Sequence, residues 1–290
     1  MKNNRLHGFT LVELVMVIAI TGIVAVSFVI FFTPAVNGYF AAQRRAALTD
    51  MADTALRRMR RDVQLAVPNS IRTPGSQCFE LMPAKAGGRV RMGPDIDNDA
   101  GTGCVSGGNC SAWLDTSTSI STLDILSPFS TTPVVADWVV IGNQNGNDVY
   151  SGANRAQITN VSTPLSSLGK HRLTFWPMSF PPSYDGGRIF IVPRVPAVFY
   201  VCSNPGSAAD GTGTGTLYRL TRGFVPTYPT ACPDTTGAAV LATKVKSCNF
   251  VYSPTTGNTQ QSGYVWMQLE LAESGESVPL SFGAHVDNVP

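Results

Sequence analysis

Residues 8–25 read GFTLVELVMVIAITGIVA, and they open the most informative part of the chain. The apolar run from Phe9 to Phe32 has 24 residues, of which only Glu13 is charged. As a helix it would be about 36 Å long, enough to cross a hydrocarbon core of about 30 Å. Lys2 and Arg5 precede it, so the positive-inside bias predicts a cytoplasmic N-terminus with the bulk of the chain outside.

The carboxylate of Glu13 separates three interpretations of this segment. A secretory signal peptide predicts a shorter apolar core of about 7–15 residues and a small-residue cleavage site. A plain anchor explains the length but not an acid inside the membrane, which is costly without a partner. A cut between Gly8 and Phe9 would create an α-amino cation on Phe9 and make Glu13 the fifth residue, and a neighbouring subunit could supply that amine.

The stretch from Gly8 to Ala25 resembles the N-terminal cleavage and methylation motif of type IV pilins and type II secretion pseudopilins. The resemblance implies that a prepilin peptidase cuts between Gly8 and Phe9 and N-methylates Phe9, and that Glu13 is the assembly carboxylate. The implied partners are other minor and major pilins, the prepilin peptidase/methyltransferase and the inner-membrane assembly platform. The implied location is the inner membrane, with the globular part in the periplasm and later in the pilus.

A narrower resemblance lies farther along the chain. Residues 44–72 and the terminal HVDNVP, residues 285–290, resemble MshO-like minor pilins of MSHA pilus biogenesis. Two relatives of the same machinery stay open: the J-type pseudopilin of a type II secretion system, and a pilus-tip adhesin with exposed aromatic residues such as Trp113 and Trp176. A membrane-anchored periplasmic enzyme is a further alternative.

The second half of the helix has a different pattern. Between residues 37 and 67 apolar side chains recur at spacings of three and four, which is typical of an amphipathic helix. Asp53 with Arg57 and Arg58 with Asp62 form i, i+4 pairs. Pro68 ends the element. We therefore expect a cleaved leader over 1–8, a helix over 9–67 with its assembly half over 9–36 and its amphipathic half over 37–67, and a globular domain over 68–290.

Short apolar runs alternate with clusters of Gly, Ser, Asn and Pro in the globular part, which is typical of an all-β structure. In Tyr264–Ala272 the alternation places Val265, Met267, Leu269 and Leu271 on one face. The predicted fold class is α+β and pilin-like, a long N-terminal helix packed on a mostly antiparallel β-sheet domain. The candidate strands are Cys78–Met82, Thr122–Leu126, Trp138–Ile141, Arg172–Trp176, Arg188–Val192, Val198–Cys202, Leu217–Thr221, Cys248–Tyr252 and Tyr264–Ala272.

The six cysteines suit an oxidising compartment. Sequence alone cannot choose among their 15 pairings. The spacing favours Cys104–Cys110 and Cys202–Cys232 as loop-closing bridges, which leaves Cys78–Cys248. Zinc is disfavoured because the chain has no C-x-x-C and only three histidines.

One acidic cluster is a candidate calcium site. Asp95, Asp97 and Asp99 alternate before Gly101, and oxygen ligands in such a loop can converge on a hard cation. The glycine comes one residue late for an EF-hand-type loop, and Ser106 stands where a glutamate would close it. A solvated turn is the competing interpretation, and we expect no other cofactor.

Charge and motifs exclude other classes of function. The net charge is +2, and it falls to zero once the first eight residues are removed, so a nucleic-acid partner is not expected. The common hydrolase, zinc-protease and nucleotide-binding motifs are lacking in the sequence. We therefore predict a structural subunit rather than an enzyme.

Overall fold

A computed structural model describes residues 9–99, 110–182, 186–195, 197–254 and 263–286. Within these residues, one long helix is followed by thirteen strands and two single-turn helices. Their bounds are α1 Leu11–Gln64, β1 Arg72–Gly75, β2 Cys78–Leu81, β3 Ala86–Arg89, α2 Ile96–Asp99, β4 Ile120–Ile125, β5 Trp138–Ile141, α3 Asp148–Ser151, β6 Arg155–Ser162, β7 His171–Met178, β8 Arg188–Val192, β9 Ala197–Ser203, β10 Gly215–Arg222, β11 Ala239–Ser253, β12 Tyr264–Glu273 and β13 Glu276–His285.

Helix α1 has 54 residues and is about 80 Å long. Thr10 is its N-cap, and it continues through Pro34. Its buried residues begin only at Leu48 and follow helical spacing from there, so the first ten turns project away from the rest of the molecule. They are Leu48, Ala52, Ala55, Leu56, Met59, Asp62 and Val63.

The first sheet carries the helix. Its seven strands lie in the order β1-β2-β9-β10-β11-β12-β13, and all its neighbouring strands are antiparallel. The inward side chains of β12 are Val265, Met267, Leu269 and Leu271, and they pack with the buried face of α1 in one core. The predicted alternation and the predicted α+β, pilin-like fold class are therefore confirmed.

The second sheet closes on itself. Its strands lie in the order β3-β8-β5-β6-β7-β4. Just beyond β3, Val90 pairs with Ile125 at the end of β4, and the Arg91 and Leu126 amides donate to the Asp124 and Arg89 carbonyls at 2.9 and 2.7 Å. Every one of the six strands contributes to the enclosed apolar core. The result is a small barrel with its own interior.

This barrel is an insertion in the first sheet. All its strands lie in the chain between β2 and β9, which are themselves paired. The chain enters and leaves side by side, because Ala86 pairs with Ile191 and the Lys85 amide donates to the Ile191 carbonyl at 2.6 Å. A third apolar cluster, containing Val67, Met82 and Tyr150, fills the joint between barrel and helix-bearing sheet.

The cysteine pairing differs from the prediction. Cys78 bonds to Cys232 and Cys202 bonds to Cys248, so the predicted Cys202–Cys232 and Cys78–Cys248 pairs are wrong. The reason is the period of two along a strand. Cys78 packs with Phe199 and Val201 on the face away from α1, whereas Cys202 and Cys248 pack with the core under α1. A Cys78–Cys248 bond would have to cross the sheet.

The remaining predicted bridge, Cys104–Cys110, includes Cys104, which lies outside the described residues. That pair stays a prediction.

Strand β13 forms one edge of the first sheet, and within the described residues no strand pairs with its outer side. Amides of an antiparallel edge strand alternate between the neighbour and the free side. The Val286 amide donates to Gly263 of the β12 side at 2.9 Å, which places position 279 among those facing outward. That position is Pro279, so the free edge lacks a donor at its middle.

Candidate assembly segment

Glu13 lies in the first turn of α1 and closes a capping box with Thr10. The Glu13 amide donates to Thr10 Oγ1 at 3.3 Å, and the Thr10 amide donates to Glu13 Oε2 at 3.4 Å. The Thr10 hydroxyl donates to the same carboxylate oxygen at 3.3 Å. The carboxylate is thus held at the positive end of the helix dipole, close to the backbone of Phe9.

The apolar half of α1 is exposed on all its sides. Phe9 and nearly all large apolar residues as far as Phe40 are exposed. This helix is long and apolar enough to cross a membrane, and its most apolar window has no residue buried inside the molecule. Such a surface needs lipid or other apolar helices around it.

Three hydroxyl side chains interrupt the apolar surface without adding unpaired donors. Thr21, Ser27 and Thr33 each donate to the backbone carbonyl four residues earlier, at 2.7, 2.8 and 2.7 Å. Because each donor is satisfied within the helix, these residues do not raise the cost of an apolar environment as free hydroxyls would.

The outer half of α1 is fixed to the first sheet by a buried polar group. Asp62 accepts from the Tyr200 hydroxyl at 2.7 Å and from Arg219 Nη2 at 2.9 Å, while Arg58 lies at 3.6 Å on the helix itself. Burial, and then the nearby Asp62 charge, raise the pKa of Tyr200. The helix is therefore attached to strands β9 and β10 by directed hydrogen bonds as well as by apolar contacts.

Sequence reasoning recovered only part of this attachment. The predicted Asp53–Arg57 and Arg58–Asp62 pairs are both present, at 2.5 and 3.6 Å. The partners of Asp62 on β9 and β10 lie more than a hundred residues away, and no local pattern marks them.

Residues 3–29 match the prokaryotic N-terminal methylation motif. Gly8 lies outside the described residues, whereas Phe9 and Glu13 lie at the exposed start of α1. No match is found among curated proteins or among solved structures. The motif supports a type IV pilin-like subunit, which is a structural component rather than an enzyme.

The motif also bears on partners and location. It implies assembly with other pilins and processing by a prepilin peptidase in general terms. Among the described residues, one helix, near the N-terminus, is long and apolar enough to span a membrane, which is consistent with anchoring in the inner membrane.

The predicted calcium ligands Asp95, Asp97 and Asp99 lie at and within the single-turn helix α2. Within the described residues, no group of three or more His, Cys, Asp or Glu side chains lies close enough to hold a metal ion. Asp97 is exposed. Asp99 accepts hydrogen bonds from Ser111 and from the Asp95 amide, and these bonds, those of Ser111 most, lower the pKa of Asp99. Residues 100–109, which complete the loop, lie outside the described residues, so calcium binding itself stays an untested prediction.

Proposed function

We propose that this chain is a minor pilin of the MSHA type, which joins the pilus or its priming complex after prepilin cleavage and N-methylation. The observation that carries the proposal is the exposed apolar helix with a single acid, Glu13, in its first turn. The methylation motif supports the pilin class, and the resemblance of residues 44–72 and 285–290 favours the MSHA type.

In this proposal the leader, residues 1–8, stays on the cytoplasmic side until the peptidase removes it. The Glu13 carboxylate of one subunit then attracts the Phe9 amine of its neighbour inside the membrane. Pairing relieves the cost of a carboxylate in hydrocarbon, and the apolar helix surfaces pack together. Residues 9–36 serve as the assembly half, residues 37–67 carry the domain, and residues 68–290 stay on the periplasmic side and later outside the cell.

The N-terminus of the exported protein provides the first test. Mass spectrometry of the terminal peptide should show Phe9 as the first residue, carrying one added methyl group. A mature protein that retains residues 1–8 would overturn the proposal.

Substitutions of Glu13 test the pairing step separately. Glu13→Ala and Glu13→Gln should each reduce incorporation into pili by about tenfold or more, a factor equivalent to about 1.4 kcal/mol. Asp50→Ala is the matched control, because Asp50 is an exposed acid of the same helix beyond the apolar half. Incorporation is measured by immunoblot of sheared pili against total membrane protein. Normal incorporation of the Glu13 variants would contradict the pairing role.

The J-type pseudopilin of a type II secretion system would use the same segment in a different machine. The two functions differ in the phenotype of a deletion strain. Loss of pili with intact protein export favours the MSHA type, whereas loss of export with intact pili favours the pseudopilin. A pilus-tip adhesin has weaker support, namely the exposed indole of Trp176 on the barrel.

A further inference from the structure

The segment 223–238, which connects β10 to β11, crosses the joint between the helix-bearing sheet and the inserted barrel. We call this segment the strap. Its contacts with both parts of the molecule, and its covalent attachment, suggest a function that the proposed assembly role does not include.

Two side chains, the buried Arg72 and the half-buried Asn147, donate hydrogen bonds to the strap backbone. Arg72, on strand β1 of the first sheet, donates from Nη1 to the carbonyls of Val225 and Thr227 at 3.2 and 3.3 Å. Asn147, which caps α3 of the barrel, donates to the Pro226 carbonyl at 2.7 Å. Arg72 also donates to Asn147 Oδ1 at 2.8 Å, so sheet, strap and barrel share one hydrogen-bond network.

Aromatic contacts extend the attachment to the barrel. Phe224 of the strap meets Trp138 of β5 edge to face, with ring centroids 5.2 Å apart. The Arg155 guanidinium of β6 lies 3.6 Å from the Phe224 ring centroid. Such contacts are directional, so they set the orientation of the barrel as well as holding it.

The far part of the strap is anchored covalently to the first sheet. Cys232 bonds to Cys78 of β2, which is fully buried against Phe199 on the face away from α1. The two cysteines are 154 positions apart, so the covalent loop that this disulfide closes contains all residues of the barrel. The strap is therefore covalently bonded to the sheet at Cys232 and packs against the barrel at Phe224.

We propose that residues 223–238 form a disulfide-anchored strap that holds the inserted barrel in one fixed orientation on the helix-bearing sheet. The orientation of the barrel relative to α1 then depends on the Cys78–Cys232 bond. A dithiol reductant would break this bond and so release the strap. It supplies two electrons and two protons, which leaves two cysteine thiols and the oxidised reductant. This inference does not depend on the proposed MSHA-type function.

The test measures the distance between barrel and sheet in the full-length chain in detergent. Spin labels on non-canonical ketone side chains at exposed Thr159 and Ser281 avoid the native cysteines. Double electron–electron resonance should give one narrow distance distribution for the native protein. In the Cys78→Ser, Cys232→Ser double variant, the width should increase at least twofold.

The matched control removes the other disulfide through Cys202→Ser and Cys248→Ser. Its distribution should stay narrow, because that bond lies in the core under α1 and joins two strands of the first sheet. A narrow distribution in the Cys78 and Cys232 variant, or equal broadening in the control, would overturn the proposal.

A second variant keeps the disulfide and removes strap contacts with the barrel, through Asn147→Ala and Phe224→Ala. It decides the matter if the disulfide variant does not fold. Broadening relative to the native protein supports the strap, and an unchanged width refutes it.

Discussion

Two buried tyrosine hydroxyls differ in whether they have a partner. Tyr200 donates to Asp62 at 2.7 Å. The Tyr252 hydroxyl is buried, and among the described residues it has no hydrogen-bond partner. Burial raises the pKa of Tyr252 to about 12. The two residues therefore allow a comparison of a satisfied and an unsatisfied hydroxyl in one protein.

We expect Tyr200→Phe to lower the free energy of unfolding by about 1–3 kcal/mol, because Asp62 loses a buried donor. Tyr252→Phe should change it by less than about 0.5 kcal/mol or raise it, because no hydrogen bond within the described part of the chain is lost. Urea denaturation of both variants, followed by tryptophan fluorescence, measures the difference. Equal losses would contradict this account.

Arg72 and Glu80 form a pair in which both side chains are 0% exposed. Arg222 also donates to Glu80, at 2.8 Å, and the Arg72 guanidinium lies 3.4 Å from the Tyr150 ring centroid. The carboxylate thus serves two cations, and removing Arg72 leaves it only partly compensated.

Arg72→Met should therefore destabilise the protein by about 3–5 kcal/mol, the usual result of breaking a buried pair. The control is Lys246→Met, which removes an exposed partner of Glu270 and should cost less than about 1 kcal/mol. Thermal unfolding followed by circular dichroism compares the two. A loss for Arg72→Met no larger than for the control would show that the pair contributes little.

At the scale of the elements, short apolar runs between turn-forming residues identified strands well. Each of the nine predicted strands overlaps an observed one. The sequence did not identify β1, β3, β6 and β13. Strand β3 reads AGGR, which has no alternation, and β13 contains Pro279, which argues against a strand within a sheet. These segments are extended because their neighbours pair with them, and that information is not local.

The disulfides failed as predictions for a related reason. Spacing indicates which loops are short, but the face of the sheet on which a cysteine lies decides its partner. Cys78 lies on the face away from α1, and its partner Cys232 lies on the strap. The position of the strap depends on contacts such as Arg155 with Phe224 and Arg72 with Val225, which arise only in the folded molecule.

The two observed disulfides should differ in their effect on stability. Their separations are 154 and 46 positions. If chain entropy dominates, removing Cys78–Cys232 should cost about 1 kcal/mol more than removing Cys202–Cys248. Paired serine variants of each bond, compared by urea midpoint and slope, measure the difference. A larger loss for the shorter loop would indicate that local packing outweighs the entropy of the unfolded chain.

For the whole molecule, the motif at the start of α1 was recognised from the sequence because an acid in an apolar helix has few physical explanations. The closed barrel was not, because closure depends on the Val90–Ile125 pairing between distant strands. The position of the insertion is a property of the complete fold: all six barrel strands lie between two adjacent strands of the first sheet.

The insertion predicts that the helix-bearing sheet folds without the barrel. Replacing residues 86–191 by Asn-Gly should leave a protease-resistant helix–sheet core. A two-residue turn can join Lys85 to Val192, because the two chain segments already lie side by side where they enter and leave the barrel. The free energy of unfolding of this core should be lower than that of the full-length protein, since Val67 and Met82 lose the barrel side chains that pack on them. The measurement is limited proteolysis with mass spectrometry, and the full-length protein is the control. Complete digestion would show that the barrel is required for folding.

The proline in the edge strand β13 affects how copies of this protein can associate. An edge strand whose outward N–H and C=O groups are all free can pair with the edge of another sheet, which is the route to amyloid-like growth. Pro279 leaves a gap at the centre of the β13 edge. Pairing of folded domains through this edge is thereby disfavoured, which leaves the exposed apolar half of α1 as the larger apolar surface for contacts between copies.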